Sequence, residues 1–242
     1  MRHGESAANL ADAAARAAGA EALDLADRDA DVALSETGRA QAEALGRWLL
    51  DTDEARRPTV VVSSPYRRAR DTAAGAADPL GLDIELDERL RERDLGLLDG
   101  LTPEGVRSRL PSEAERRARL GKFWYVPPSG ESWADVAQRL RGLLADLRHG
   151  FDGERVWLFT HQAVVMTFRY VLEDVEESAL LDLDRQVRIP NASVTTYRRE
   201  GRFLEPVAFA DTTAVQAHTE VTREAPADGT RAPEDGGSRG RE

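Results

Sequence analysis

Two short apolar runs set the architecture. Val60-Val61-Val62 and Val156-Trp157-Leu158-Phe159-Thr160 lack polar alternation, the pattern of strands buried on both faces. Each leads into polar residues and then a helical stretch. Ser63-Ser64-Pro65 precedes a helix carrying Arg67, Arg68, Ala69, Arg70 and Thr72, and His161 precedes a helix reaching about Leu172. Strands alternating with helices predict a three-layer α/β/α sandwich around a mostly parallel central sheet. Ligands bind such sheets beyond the carboxyl ends of the strands. The Ser63–Arg68 stretch and His161 fall there, and so would Arg2-His3 if a strand preceded them.

The remaining segments fill out this plan. Ser35-Glu36-Thr37-Gly38 opens a helix to about Leu50, with Leu45, Trp48 and Leu49 on one face. Asp83–Leu86 reads as a short strand, Leu90–Gly100 as a loop and Glu104–Leu120 as one charged helix. Ser132 with Asp135 forms a capping pattern that opens a helix to about Arg148. Val194–Tyr197 and Phe203–Phe209 read as closing strands. Residues 11–31, alanine-rich and acidic, read as a surface loop with at most a short helix. Residues 1–210 are expected to form one domain. Residues 211–242, polar with Pro and Gly, are expected to be a disordered tail.

Composition narrows the function classes. The chain has 242 residues, 41% hydrophobic and 32% charged, enough for one sizeable core. No apolar run is long enough to span a bilayer, and the start lacks the apolar stretch of a signal peptide. A cytoplasmic protein with no membrane partner is the expectation. With no cysteine, disulfides, cysteine nucleophiles and thiolate metal sites are excluded. A net charge of −11 argues against nucleic acid. Anion binding must use local arginines, because Lys122 is the sole lysine. Nothing in the residue pattern fixes an oligomeric state.

The chemistry-bearing residues open the chain: Met1-Arg2-His3-Gly4-Glu5-Ser6, with Asn9 beyond. A guanidinium can clamp phosphoryl oxygens, and a neutral imidazole nitrogen can attack phosphorus. Four further blocks follow: Ser63-Ser64-Pro65-Tyr66-Arg67-Arg68-Ala69-Arg70-Asp71-Thr72-Ala73, Leu90-Arg91-Glu92-Arg93-Asp94-Leu95-Gly96 through Gly100, Gly130-Glu131-Ser132-Trp133, and Thr160-His161-Gln162-Ala163-Val164. In this order they resemble the histidine phosphatase superfamily, also called phosphoglycerate mutase-like, over roughly Met1–Phe209. His161-Gln162-Ala163-Val164 is similar to the fructose-2,6-bisphosphatase branch, without a Gly-rich kinase loop.

The resemblance implies a role for each matched residue. His3 would be the nucleophile, with Nδ1 holding the proton against a backbone carbonyl. Arg2, Arg68 and His161 would bind the phosphate. Glu92 would be the general acid, with Glu88 the competing carboxylate. Asn9 either lines the phosphate pocket with Ser6 or caps a helix. Glu5 either orients Arg2 or His3 or sits in a first turn. Glu131 and Ser132 suit capping better than catalysis. Phe123-Trp124-Tyr125 is either a substrate wall or core packing, and Asn191 with Ser193 resembles a structural turn. No metal set is expected, since arginines flank both histidines, and no cofactor is implied.

The expected function is a metal-independent phosphatase acting on a small phosphorylated metabolite through a phosphohistidine. Phosphoglycerate mutase-type transfer is the first alternative, and a non-catalytic phospho-ligand-binding member the second. Family members carry an apolar strand directly before Arg-His-Gly, where this sequence has only Met1. Either the protein is naturally shortened or its start is placed too far downstream; the second is the favoured expectation, with low stability or activity for the chain as written.

Overall fold

The computed structural model describes residues 1–224. In chain order the elements are α1 (Ala7–Ala17), α2 (Glu36–Asp51), β1 (Val60–Ser63), α3 (Arg67–Ala77), β2 (Ile84–Leu86), α4 (Pro103–Arg109), α5 (Pro111–Leu120), α6 (Trp133–Gly150), β3 (Val156–Phe159), α7 (Gln162–Leu172), α8 (Glu177–Gln186), β4 (Val194–Glu200), β5 (Phe203–Asp211) and α9 (Thr213–Gln216).

The three-stranded parallel sheet has the order β2-β1-β3, with Val61 opposite Ile84 and Trp157. Successive strand residues face opposite sides, and β1 shows the result. Val61 packs with Leu45, Leu49, Ala73, Ala76 and Val215, against α2, α3 and α9. Val62 packs with Leu140, Leu143, Val164 and Phe168, against α6 and α7. The sheet thus lies between two helical layers, as the sequence predicts. On the first side α2 and α3 approach closely through glycines: a Cβ on Gly46 would lie 2.2 Å from the Gly75 carbonyl oxygen.

Residues 1–3 occupy a lane beside β3. The Thr160 amide donates to Met1 O at 2.9 Å, and the His3 amide donates to Thr160 O at 2.9 Å. On the other side the Arg2 amide donates to Ser193 O at 3.1 Å, and the Ala192 amide to His3 O at 3.0 Å. The antiparallel β4-β5 ribbon follows from Ser193. Alongside the rest of β3 the lane continues as a groove of about 1170 Å³, lined by Met1, Trp157, Leu158, Leu172, Val194 and Leu204 among others. The Met1 amino group closes its end, donating to Leu158 O at 2.7 Å.

Several elements differ from expectation. Residues 11–31, expected as a surface loop with at most a short helix, open inside α1, which runs from Ala7 to Ala17. The single helix expected over Glu104–Leu120 is two, because Pro111 forces Leu110 out of helical geometry (φ −131, ψ 55) and cannot donate backward. α8 was not anticipated. The tail expected from residue 211 is ordered at its start: Ala214 and Val215 of α9 are buried in the core, and described chain continues to Glu224. The rest of that expectation lies outside the described residues.

Candidate active site

Arg2, His3, Arg68, Glu92 and His161 lie on segments that reach the carboxyl end of the sheet. Arg2 and His3 leave the lane beside β3, Arg68 stands in the first turn of α3, and His161 is the N-cap of α7. Glu92 lies in the loop after β2 and accepts from the Ala163 amide of α7 at 3.4 Å. Arg2, His3, Arg68 and His161 are all buried.

The two imidazoles form the centre, with ring centroids 5.1 Å apart. His3 Nδ1 lies 2.6 Å from Gly4 O. A carbonyl only accepts, so Nδ1 carries the proton and Nε2 keeps its lone pair. Burial, then the charges of Arg68 and Arg2, hold the His3 pKa well below 6.5. His161 Nε2 lies 2.9 Å from Ser64 Oγ, and its Nδ1 is buried without a partner. Burial and Arg68 hold its pKa low as well. The Ser64 hydroxyl can donate to Nε2, which leaves Nδ1–H as a free donor inside the site. Burial is the main cause that raises the Glu92 pKa above 4.5, and the nearby carboxylates Glu224 and Asp29 push the same way.

Local sequence explains the placement. Gly4 must be small because a Cβ there would lie 2.7 Å from Gly38 O, and its amide donates to Thr72 Oγ1 of α3 at 2.9 Å. Ser6 caps α1, and Asn9 both completes that capping box and accepts from Asn191 Nδ2 at 3.2 Å. Asn9 Nδ2 donates to Glu224 Oε1 at 2.7 Å, so the capping reading holds and the pocket reading concerns the amide that Glu224 engages. Glu5 orients neither Arg2 nor His3; it accepts from the Ser35 hydroxyl at 2.6 Å.

The loop bearing Glu92 is pinned from α6. Glu131 accepts from Arg91 at 2.6 Å and from Arg139 at 3.1 Å, while Arg139 donates to the Arg89 and Glu92 carbonyls. Ser132 caps α6 with Asp135, as expected, but Glu131 is the anchor of the acid loop rather than a cap. Phe123 and Tyr125 are core residues, whereas Trp124 is exposed and donates to Glu177.

Two carboxylates were not foreseen. Glu224 Oε1 lies 2.5 Å from Arg2 Nη2 and 2.7 Å from Asn9 Nδ2. Asp29 Oδ1 lies 2.9 Å from Arg68 Nη1. Both guanidinium groups therefore face an acid in this structure. Neither acid lies in a motif. Glu224 is held by distant contacts, with the Asn191 amide donating to Thr222 O at 2.9 Å and Gln41 to Thr222 Oγ1 at 3.0 Å. Among the described residues no group of three or more His, Cys, Asp or Glu could hold a metal ion, and no helix is long and apolar enough to cross a membrane.

Residues 1–212 match the model for the histidine phosphatase superfamily (branch 1). A glucosyl-3-phosphoglycerate phosphatase of Mycobacterium tuberculosis is 42% identical over 117 residues, 48% of this chain and 50% of that protein. The chain thus spans about half the length of that relative. A 6-phosphofructo-2-kinase/fructose-2,6-bisphosphatase of Gallus gallus is 32% identical over 164 residues, 68% of this chain and 30% of that protein. Among solved structures, a mycobacterial glucosyl-3-phosphoglycerate phosphatase with VO3 aligns with a TM-score of 0.65 and 30% identity, covering 85% of this chain and 93% of the other. YhfR of Bacillus stearothermophilus aligns with a TM-score of 0.70 and 27% identity, covering 89% and 97%.

Proposed function

We propose that this chain, which belongs to the histidine phosphatase superfamily (branch 1), hydrolyses phosphate monoesters of small metabolites through a phosphohistidine on His3. The observation that carries the reading is the His3 ring. It is buried, held neutral, and fixed by Gly4 in the tautomer whose Nε2 can attack.

The phosphoryl group binds between Arg2 and Arg68, taking the places of Glu224 and Asp29 on their guanidinium forks. Those forks match phosphoryl oxygens in pairs. The Nδ1–H of His161 is a further donor, preorganised because Ser64 fixes the ring. Asn9 Nδ2 completes the donor set. His3 Nε2 then attacks phosphorus in line with the ester oxygen. The P–O bond breaks, and that oxygen takes a proton from Glu92, which its raised pKa keeps available. Water next attacks the phosphohistidine with Glu92 as base, releasing inorganic phosphate and restoring His3.

The test is chemical trapping. Brief reaction with a ³²P-labelled monoester is expected to leave acid-labile label on the wild type and none on His3→Ala. Glu92→Gln is expected to slow turnover of alkyl phosphates by about 10²–10⁴-fold, and p-nitrophenyl phosphate less, because its leaving group hardly needs a proton. Label that persists on His3→Ala would refute the assignment.

A further inference from the structure

The chain past α9 returns to the two histidines. Residues 217–224 follow that helix without helix or strand of their own and are tied down at Thr222. The Asn191 amide donates to Thr222 O at 2.9 Å, and Gln41 Nε2 donates to Thr222 Oγ1 at 3.0 Å and to Glu220 O at 2.9 Å. Thr222 Oγ1 donates in turn to Asn191 Oδ1 at 3.2 Å. The same two residues hold the His3 loop. Gln41 Oε1 accepts from the Glu5 amide at 2.8 Å, and Asn191 Nδ2 donates to His3 O at 3.3 Å. The strap is therefore seated on groups that shape the nucleophile's loop, and Glu224 reaches Arg2 from it.

The donors of the buried Arg2 divide. Nη1 is spent on the Ile189 carbonyl and on Gln162 Oε1 at 3.0 Å. The other edge, Nε with Nη2, is the fork left for an anion. Glu224 Oε1 holds Nη2 at 2.5 Å and Asn9 Nδ2 at 2.7 Å, whereas Nε is buried without a partner. The carboxylate thus takes one donor of a two-donor edge, and phosphoryl oxygens can take both. The Glu224 side chain is 32% exposed, so it can swing into water. We propose that Glu224 is a built-in competitor for the phosphoryl group: residues 220–224 form a self-inhibitory strap whose carboxylate must leave Arg2 and Asn9 before a phosphate ester binds. This rests on the phosphatase reading above and adds its regulation. Thr222 keeps the strap seated while the Glu224 side chain moves. The competitor weakens every phosphoryl ligand according to the fraction of molecules with the fork open. Bond breaking begins only after the carboxylate has left, so that step is untouched.

Calorimetric titration with inorganic phosphate reads the fork directly and needs no turnover. Glu224→Ala is expected to bind phosphate about tenfold more tightly, the worth of a charge-assisted contact removed from competition. KM for p-nitrophenyl phosphate should fall by a similar factor, with kcat within about twofold of wild type. Glu224→Gln, which keeps the shape without the charge, should fall between. Thr222→Val, which removes the hydroxyl contacts of the strap, should shift both quantities the same way by a smaller factor. A damaged fold weakens binding, so a gain in affinity cannot come from destabilisation. Phosphate affinity and KM that are unchanged or weaker in Glu224→Ala overturn the strap. Labelling of His3 separates the two failures. Label with unchanged affinities removes the strap alone. Absent label and turnover in wild type and Glu224→Ala alike remove the phosphatase reading, and the phosphate titration then decides the competition by itself.

Discussion

His3 and His161 are buried under the influence of the Arg2 and Arg68 charges, and this sets how the protein responds to acid. Both imidazoles are kept neutral well below 6.5 by burial and guanidinium charge. An unfolded chain would protonate them near 6.5. Below that pH the unfolded state binds protons that the folded state refuses, so this part of the stability is lost as pH falls from 6.5. Glu92 acts in the opposite sense. Its folded pKa is raised, so its contribution is full below 4.5 and is lost as pH rises through the folded value. For catalysis, kcat/KM on p-nitrophenyl phosphate is expected to show no acid limb at 6.5 and to decline only further into acid. A profile from about pH 5 to 8 checks this; a limb at 6.5 would mean that His3 is solvated. Arg93 shows the limit of reading residues one at a time. Arg91-Glu92-Arg93 has the pattern of a solvated charge run, yet Arg93 is only 9% exposed, and Tyr125 and Asp184 of α8, from distant sequence, act on its charge.

Between α2 and the loop carrying His3 there is no spare room. A Cβ on Gly38 would lie 1.9 Å from Glu5 O, so Gly38→Ala must push the Gly4–Glu5 backbone away from α2. Overpacking of this kind costs about 1–3 kcal/mol. We expect a lower Tm together with a loss of kcat greater than the remaining folded fraction explains, because Gly4 O sets the His3 tautomer. Thermal melts alongside kinetics decide it; wild-type kcat at lowered Tm would uncouple the helix from the site. Elements built on local pattern were readable in the sequence. β1 and β3 announce themselves as short all-apolar runs, α6 by its Ser132–Asp135 cap, and the helices after the strands by position. Elements set by distant contacts were not. α9 and the chain to Glu224 have no apolar periodicity; they are held by Gln41 and Asn191 and by the core around Val215. Asp29 lies in an alanine-rich acidic stretch whose composition gave no hint of Arg68.

At the scale of the whole molecule, the groove beside β3 holds no strand among the described residues. Its walls are largely apolar, and it runs on from the lane that residues 1–3 fill. An apolar β-branched segment of five or six residues added ahead of Met1 is expected to enter it. Each fully buried Val or Leu contributes roughly 1.5–3 kcal/mol, and each kcal/mol raises Tm by about 2–4 °C in a protein of this size. Thermal melts of the extended protein, against an extension of equal length rich in Glu and Lys, provide the check. Equal melting of the two would show that the groove does not accept a strand.

The pairing of Lys122 also governs covalent modification. The sole lysine is tied to Asp184 of α8 at 2.5 Å, so acylating reagents that target side-chain amines meet one guarded group. The rate at which they tag it would serve as a clock for how often α8 parts from the segment leading into α6.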